Sequence, residues 1–318
     1  MVYSKKATVW ELSVLKLSAD KVWYKGVVLK GNQDIQNKKG KAFRNAINVL
    51  RSYFTSVFAN QEICIHTNSG TILTKTDAFG RFQVISEKAY SLDLKITLSD
   101  ADQVLKIVQN YPVIFEEEQR TLDIISDIDD TILVSNTANI FQRIKTLLFL
   151  VPERRTVIEF TKNIFLAWED VNPRLFYVSK SESNLFGLLT TFIKHNKLPL
   201  GVLTLTPYLS FAQLVKGQKP VDFKLNAIRF LITQSRSKHY ILVGDDSQKD
   251  MAIYTTLAKA YPELILKIYI RRTGKEINKT QQNMWETLLA TGTSASYFLP
   301  EHAETILDEI ETLKHELI

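Results

Sequence analysis

Apolar and polar positions follow two rhythms along the chain. Up to about residue 118, apolar residues fall at alternate positions in short runs: KVWYKGVVL from Lys21, EICIHT from Glu62, GTILTKT from Gly70, GRFQVIS from Gly80 and SLDLKITL from Ser91. Side chains of a strand alternate between its two faces, so these runs predict strands. Turn signals such as TNSG and DAFG separate them, and the spacing predicts a small sandwich or barrel. One stretch breaks the pattern. In KAFRNAINVLRSYFTSVF, Phe43, Ile47, Leu50, Phe54 and Val57 recur at helical spacing, flanked by Lys41, Arg44 and Arg51. This predicts an amphipathic basic helix that packs its apolar stripe on the sheet or, alternatively, lies on a membrane surface.

Beyond residue 119 strands and helices alternate. TLDIISDI, RLFYVS, GVLTLT, HYILVG and LILKIYI read as strands. NLFGLLTTFIKHN, KLNAIRFLITQS and MAIYTTLAKAYP read as the intervening helices, residues 138 to about 170 as largely helical, and PEHAETILDEIETLKHELI as a last helix. Short strands joined by helices of this length predict βαβ units on a parallel sheet. The chain therefore divides into a β-rich domain over residues 1–118, carrying the basic helix, and an α/β domain over residues 119–318.

Composition narrows this little. With 318 residues, 45% hydrophobic and 23% charged, the chain suits two modest globular domains. The single cysteine, Cys64, excludes an intramolecular disulfide framework and CxxC metal sites, and its place in EICIHT reads as an inert buried thiol. The N-terminus lacks the continuous apolar stretch of a signal peptide, and no run approaches the roughly 18 apolar residues that span a bilayer. The expectation is a cytoplasmic protein without a transmembrane segment. Charge changes the picture more. Residues 1–60 hold 11 Lys or Arg against 3 acidic residues, a balance of +8 in a chain of net +6, so the remainder carries −2. An excess at one end suits a patch facing a polyanion, such as an anionic membrane surface, or simply a soluble surface.

The candidate chemistry begins at DIISDIDDTILVSNT, residues 123–137, where Asp127, Asp129 and Asp130 crowd the end of a buried strand. Mutual repulsion makes three ionised carboxylates there unfavourable unless something neutralises them. Ligands of parallel α/β sheets gather at the carboxyl ends of the strands. Those ends offer Asp127, Asp129 and Thr131, then Ser179, then Asp245 and Asp246 with Asp250 beyond, while Lys224 opens a helix. The set suits a phosphate ester. Asp127 and Asp245 supply the oxygen ligands that Mg²⁺ prefers. A carboxylate can attack phosphorus to give an aspartyl-phosphate. A second carboxylate two residues on can protonate the leaving oxygen and later activate water. Ser179 and Lys224 would stabilise charge on the transferring phosphoryl oxygens. Each element alone is weak, and GDDSQKD by itself reads equally as a calcium or turn motif. Their order along one α/β unit is the stronger signal. The five histidines form no metal spacing, and neither a GxGxxG nor a Walker lysine loop is present.

That order resembles the haloacid dehalogenase superfamily over residues 119–275: DIDDT is similar to its D-x-D-x-T motif, Ser179 to its second, Lys224 to its third, and G-D-x-x-x-x-D at 244–250 to its fourth. SDIDDTIL, FYVSKS, VGDDSQKDMAIY and KIYIRRT further resemble the catalytic domain of the actin-patch-protein family of Mg²⁺-dependent phosphatidate phosphatases, and TDAFGRF its preceding domain. The resemblance implies a haloacid-dehalogenase-like Rossmannoid parallel sheet with a minimal cap, preceded by a small sandwich-like domain. It implies Asp127 as nucleophile and Asp129 as acid/base. It also implies Mg²⁺ held by Asp127, the Asp129 carbonyl and Asp245, with Asp250 holding the metal's waters or Lys224. Two departures stand out. GDDSQKD replaces GDSGQ-x-D, adding Asp246 as a competing metal ligand, and SKSES replaces S-N-S-P-W, putting Lys180 and Glu182 on the substrate rim.

The favoured expectation is hydrolysis of a phosphomonoester, with phosphatidate or a related lipid phosphate as substrate at an anionic membrane surface and no stable nucleic-acid partner. Only residues 132–177 separate the first motif from the VSKS strand end, leaving no room for a large cap. The alternatives are a phosphatase for a soluble or nucleic-acid phosphate, and a non-catalytic module that keeps a metal site.

Overall fold

The computed structural model describes residues 7–31, 48, 51–87, 93–115, 121–128, 161–215, 222–235, 237–246, 249–299, 301 and 303–317. The chain packs as two units. The first comprises Met1–Gln119, Ser181–His195 and Leu205–Val221, and the second Arg120–Lys180, Asn196–Thr204 and Asp222–Ile318. The first unit thus includes two segments from beyond residue 119.

In that unit, β1 (Ala7–Ser18), β2 (Lys21–Lys30), β5 (Arg81–Ser86), β8 (Lys106–Ile107) and β9 (Ile114–Phe115) form one sheet. In the second sheet, β3 (Glu62–Thr67) pairs with β4 (Gly70–Lys75) and β6 (Lys95–Leu98), and β6 with β7 (Ala101–Val104). The inner faces share a core that includes Val9, Leu12, Val14, Tyr24, Val28, Ile63, Ile65, Phe82 and Ile96. Cys64 is half-buried on β3 rather than fully enclosed.

The longest strand of the unit, β1, is absent from the sequence expectation. It is buried on nearly every residue, so it shows no alternation, and its register with β2 shifts between Trp10 and Ser13. Glu11 lies in that shift with φ 56° and a buried side chain that meets Lys25 Nζ at 3.3 Å and accepts a hydrogen bond from Ser183 Oγ. The helix Phe186–His195 joins this unit through Phe186, whose ring meets Trp10 and Tyr111 edge-on. The TDAFGRF turn is closed by Asp77, whose Oδ1 accepts from the amides of Phe79 and Arg81. Gly80 follows at φ +71°, where a Cβ would lie 2.7 Å from Val57 Cβ and 2.9 Å from Val28 O, so only glycine fits.

The basic helix is corrected at its end. Phe43, Ile47 and Leu50 lie outside the described residues, helix stops at Ser52, and Tyr53 and Phe54 form a turn closed by Phe54 N to Arg51 O. Tyr53 turns inward, whereas Phe54, expected in the packed stripe, is solvent-exposed.

The second unit is built on β10 (Leu122–Asp127), β11 (Arg174–Glu182), β12 (Val202–Thr206), β13 (His239–Asp245), β14 (Ile265–Arg271) and β15 (Ala295–Phe298). They form an α/β sheet of order β12-β11-β10-β13-β14-β15, with parallel pairing from β11 through to β15. Ile124, Ile125, Phe176, Tyr177, Leu242, Val243, Ile268 and Ile270 are buried along the central strands, as expected where helices cover a parallel sheet. Helices of this unit include Phe223–Ser235, Asp250–Ala260, Lys279–Leu289 and Ala303–Leu317. Helix Lys279–Leu289 and β15 are additions to the sequence expectation, although Asn278 and Gln281 form a capping box that marks the helix start. Most of the expected helical stretch 138–170 lies outside the described residues; helix is present from Thr161 to Ala167.

Candidate active site

The parallel register sets the site. Ser126 of β10 pairs with Val243 of β13, so Asp127, the last residue of β10, stands level with Gly244, one residue before Asp245 closes β13. On the other side Asp127 pairs with Val178, adjacent to Ser179. Chain direction thus brings Asp127, Ser179 and Asp245 to the carboxyl ends of three neighbouring strands, where an α/β sheet binds its ligands. Strand β11 continues three residues past Ser179, to Glu182, further than the sequence suggested.

Lys224 ties this edge together. It is the second residue of helix Phe223–Ser235, is almost wholly buried, and places Nζ 2.9 Å from Asp127 Oδ1 and 2.5 Å from Asp250 Oδ1. Burial works to lower its pKa, but the charges of Asp127 and Asp250 outweigh it and hold the ammonium well above the usual lysine value. Asp250 opens helix Asp250–Ala260, where the helix dipole favours an anion. Gly244 makes room for this arrangement: a Cβ there would lie 2.8 Å from Asp250 Oδ2 and 2.9 Å from the Tyr254 hydroxyl.

Two neighbours were missed by sequence reasoning. Arg271, the last residue of β14, pairs in register with Asp245 and sets Nη2 3.3 Å from its Oδ2. A cation closing the strand KIYIR was the available signal. Tyr254 is fully buried, donates to Val243 O at 2.9 Å, and has its phenol pKa pushed well up by burial and then by Asp250. Its helical position reads as core, so no local pattern marks it.

Asp129 and Thr131 lie outside the described residues. Asp246 is placed away from the lysine bridge. Its Oδ1 accepts from the Thr273 amide at 2.8 Å and the Thr273 hydroxyl at 2.6 Å, and its Oδ2 from the Tyr297 hydroxyl at 2.6 Å. Both oxygens are thus spent on a clasp between β13, the segment after β14, and β15. Asp246→Ala strands these donors and should lower stability by about 1–3 kcal/mol in urea unfolding. Loss of Mg²⁺ affinity with unchanged stability would instead identify Asp246 as a metal ligand. Of the SKSES departure, Lys180 is half-buried but Glu182 is fully enclosed, so Glu182 does not line an open rim.

Among the described residues, no three His, Cys, Asp or Glu side chains converge as a ready-made metal cage. Mg²⁺ does not need one, because it keeps several waters and takes one or two carboxylates. The residues present fit it. Three carboxylates, Asp127, Asp245 and Asp250, face two cations, Lys224 and Arg271, and the buried Oδ2 of Asp250 accepts no hydrogen bond from the described residues. An oxygen-only set with negative charge in excess and an unused buried acceptor suits a hard, hydrated cation.

Residues 122–272, which contain all of these groups, match the family described as phosphatidate phosphatase APP1, catalytic domain. Over those 151 of its 318 residues the chain is similar to that family. It is 27% identical over 195 residues to phosphatidate phosphatase APP1 of Saccharomyces cerevisiae, covering 60% of this chain and 30% of the relative. It is 26% identical over 196 residues to an uncharacterized protein of Schizosaccharomyces pombe, covering 60% of this chain and 31% of the relative. The match spans under a third of either relative. Among solved structures, the PilB minor pilin of Streptococcus sanguinis is similar at 7% identity and TM-score 0.34, covering 99% of this chain and 79% of that one. A carbohydrate acetylesterase of Xanthomonas citri is similar at 9% identity and TM-score 0.32, covering 92% and 68%. Likeness at that level carries no argument about this chain. Among the described residues, no helix is long and apolar enough to cross a membrane.

Proposed function

We propose that the chain is a Mg²⁺-dependent phosphomonoester hydrolase of haloacid-dehalogenase type, acting on phosphatidate or a related lipid phosphate through an aspartyl-phosphate. The observation that carries this reading is the Lys224 ammonium bridging Asp127 and Asp250 at the carboxyl edge of the sheet. A cation held charged beside a nucleophilic carboxylate suits a phosphoryl group, and the match of residues 122–272 to the phosphatidate phosphatase family supports the substrate class.

In the proposed reaction an Asp127 carboxylate oxygen attacks phosphorus, and the bond from phosphorus to the ester oxygen breaks. Asp129, two residues on, gives its carboxyl proton to the leaving alkoxide. It then takes a proton from the water that attacks phosphorus, so that phosphate leaves and the Asp127 carboxylate is regenerated. Lys224 and Ser179 hold the phosphoryl oxygens, and Asp250 keeps Lys224 charged and in place. Arg271 orients Asp245. When bound near Asp127 and Asp245, Mg²⁺ supplies positive charge that offsets the carboxylates and the phosphoryl oxygens.

The test is a panel of phosphate esters. Phosphate release from phosphatidate should stop on chelation and return with Mg²⁺. Turnover of sugar or nucleotide phosphates in preference to phosphatidate would replace the lipid reading, and activity indifferent to chelation would remove the metal. Asp129→Asn should slow turnover by about 10²- to 10⁴-fold while Mg²⁺ affinity is kept, since its side chain moves protons. If that variant instead loses Mg²⁺ affinity and turns over normally at saturating metal, the roles of the two aspartates are reversed.

A further inference from the structure

Phe54 and Phe211, 157 positions apart, stack with ring centroids 5.4 Å apart and planes 15° from parallel. Both face solvent, at 72% and 49% exposure. Isolated exposed apolar residues are common and need no explanation, but these two make one contiguous surface on a rigid base. Tyr208 donates to Ser52 O at 2.5 Å, and Asn184 donates to Leu209 O at 3.0 Å and accepts from Leu209 N at 2.8 Å. Asn184 also reaches Ser52 Oγ at 3.3 Å, and the Phe211 amide donates to Tyr53 O at 2.9 Å. All of these groups belong to the β-rich unit. Buried hydrogen bonds therefore join the two ring-bearing segments, and the rings cannot fold inward without breaking them.

Charge decides what covers the rings. In sequence, residues 38–58, which include Phe54, contain Lys38, Lys39, Lys41, Arg44 and Arg51 and no acid. Residues 205–219, which include Phe211, contain Lys216 and Lys219 and no acid. Arg51, one turn before Phe54, is exposed. A second copy of the chain seated on the rings would bring Arg51 towards its own counterpart, because a two-fold interface places like patches together. A membrane carrying anionic lipid offers what both parts need: negative headgroups for the cations and an acyl boundary for the rings.

We propose that Phe54 and Phe211 form an aromatic wedge that inserts into the headgroup–acyl boundary of an anionic membrane, with exposed Arg51 attracting that surface. The wedge deepens the lipid-phosphate reading, on which it rests for its purpose but not for its geometry.

The full chain is co-sedimented with phosphatidylcholine vesicles with and without phosphatidylserine, over a range of salt. Phe54→Ser and Phe211→Ser should each weaken partitioning about tenfold, and the double variant about a hundredfold, at low and high salt alike. Arg51→Glu should weaken binding only at low salt, where exposed charges are unscreened. Phe54→Trp and Phe211→Trp should bind as the wild type does, and their fluorescence should be quenched by brominated acyl chains. Because these two variants keep an aromatic ring, they decide the question even if the serine variants fail to fold. Unchanged binding of folded serine variants, or tryptophans that brominated chains do not quench, overturns the wedge. So does a wild-type dimer that the double serine variant converts to monomer, since the rings then meet a second copy. Hydrolysis of a soluble aryl phosphate should be the same in wild type and double variant. If the wild type hydrolyses no phosphate ester yet loses vesicle binding with the rings, the phosphatase reading fails and the wedge stands.

Discussion

Asp127→Asn should reduce turnover by about 10⁴- to 10⁶-fold, the range seen when a covalent enzyme loses its nucleophile or its partner. The amide is a poor nucleophile, and the substitution also removes a charge from the oxygen set proposed to hold Mg²⁺. The folded state should survive, because Lys224 keeps its 2.5 Å pair with Asp250 when Asp127 is neutralised. Phosphate release from phosphatidate and from an aryl phosphate, measured beside an unfolding curve, separates the two effects. A well-folded variant with wild-type turnover would remove Asp127 from the nucleophile's role and with it the aspartyl-phosphate.

The opposite end of the same strand should behave in the opposite way. Near the amino ends of β10 and β11, Asp123 pairs in register with Arg174, and the guanidinium binds it through Nε–Oδ1 at 2.6 Å and Nη2–Oδ2 at 2.8 Å. Ser235 donates to Asp123 at 2.7 Å, and Arg174 donates to Ser237 at 2.8 Å. The Asp123 side chain has no solvent exposure. Arg174→Met leaves that carboxylate buried without its cation and should destabilise by about 3–5 kcal/mol. Asp123→Leu combined with Arg174→Met should recover most of the loss, since apolar side chains often replace a buried pair without penalty. Urea unfolding reads both. If the single variant loses less than the double, the pair is not what stabilises this end. Activity per folded molecule should stay unchanged throughout, since the proposed chemistry lies at the other end of the strands.

That division of labour within one strand was half legible in the sequence. TLDIISDI announced a buried strand ending in carboxylates, and the order of Asp127, Ser179, Lys224 and Asp245 along an alternating α/β pattern is enough to place them on one edge of a parallel sheet. Local periodicity carries such information because each strand and helix writes its own repeat. It carries none about register. Arg271 meets Asp245 only because β14 pairs with β13 in one particular register, and Asp246 turns to Thr273 and Tyr297 only because β15, the short run ASYF, joins the sheet. Strand β1 was hidden for another reason: burial on both faces erases alternation, and the shift at Glu11 would have broken it anyway. Phe54 kept helical spacing with Val57 although the helix had already stopped at Ser52, since spacing alone cannot show where hydrogen bonding ends.

The β-rich unit draws on three separate stretches of chain, the last ending at Val221. A growing polypeptide therefore finishes Gln119 roughly a hundred residues before the unit has all its parts. At synthesis rates of about 5–20 residues per second, that interval is on the order of 5–20 s. Throughout it, Trp10 waits for Phe186, the Glu11 carboxylate for Ser183, and Ser52 for Asn184 and Tyr208. Segments made after residue 119 thus complete a unit begun before it, and a fragment cut there keeps the core between the two sheets but lacks the partners of Trp10, Glu11 and Ser52.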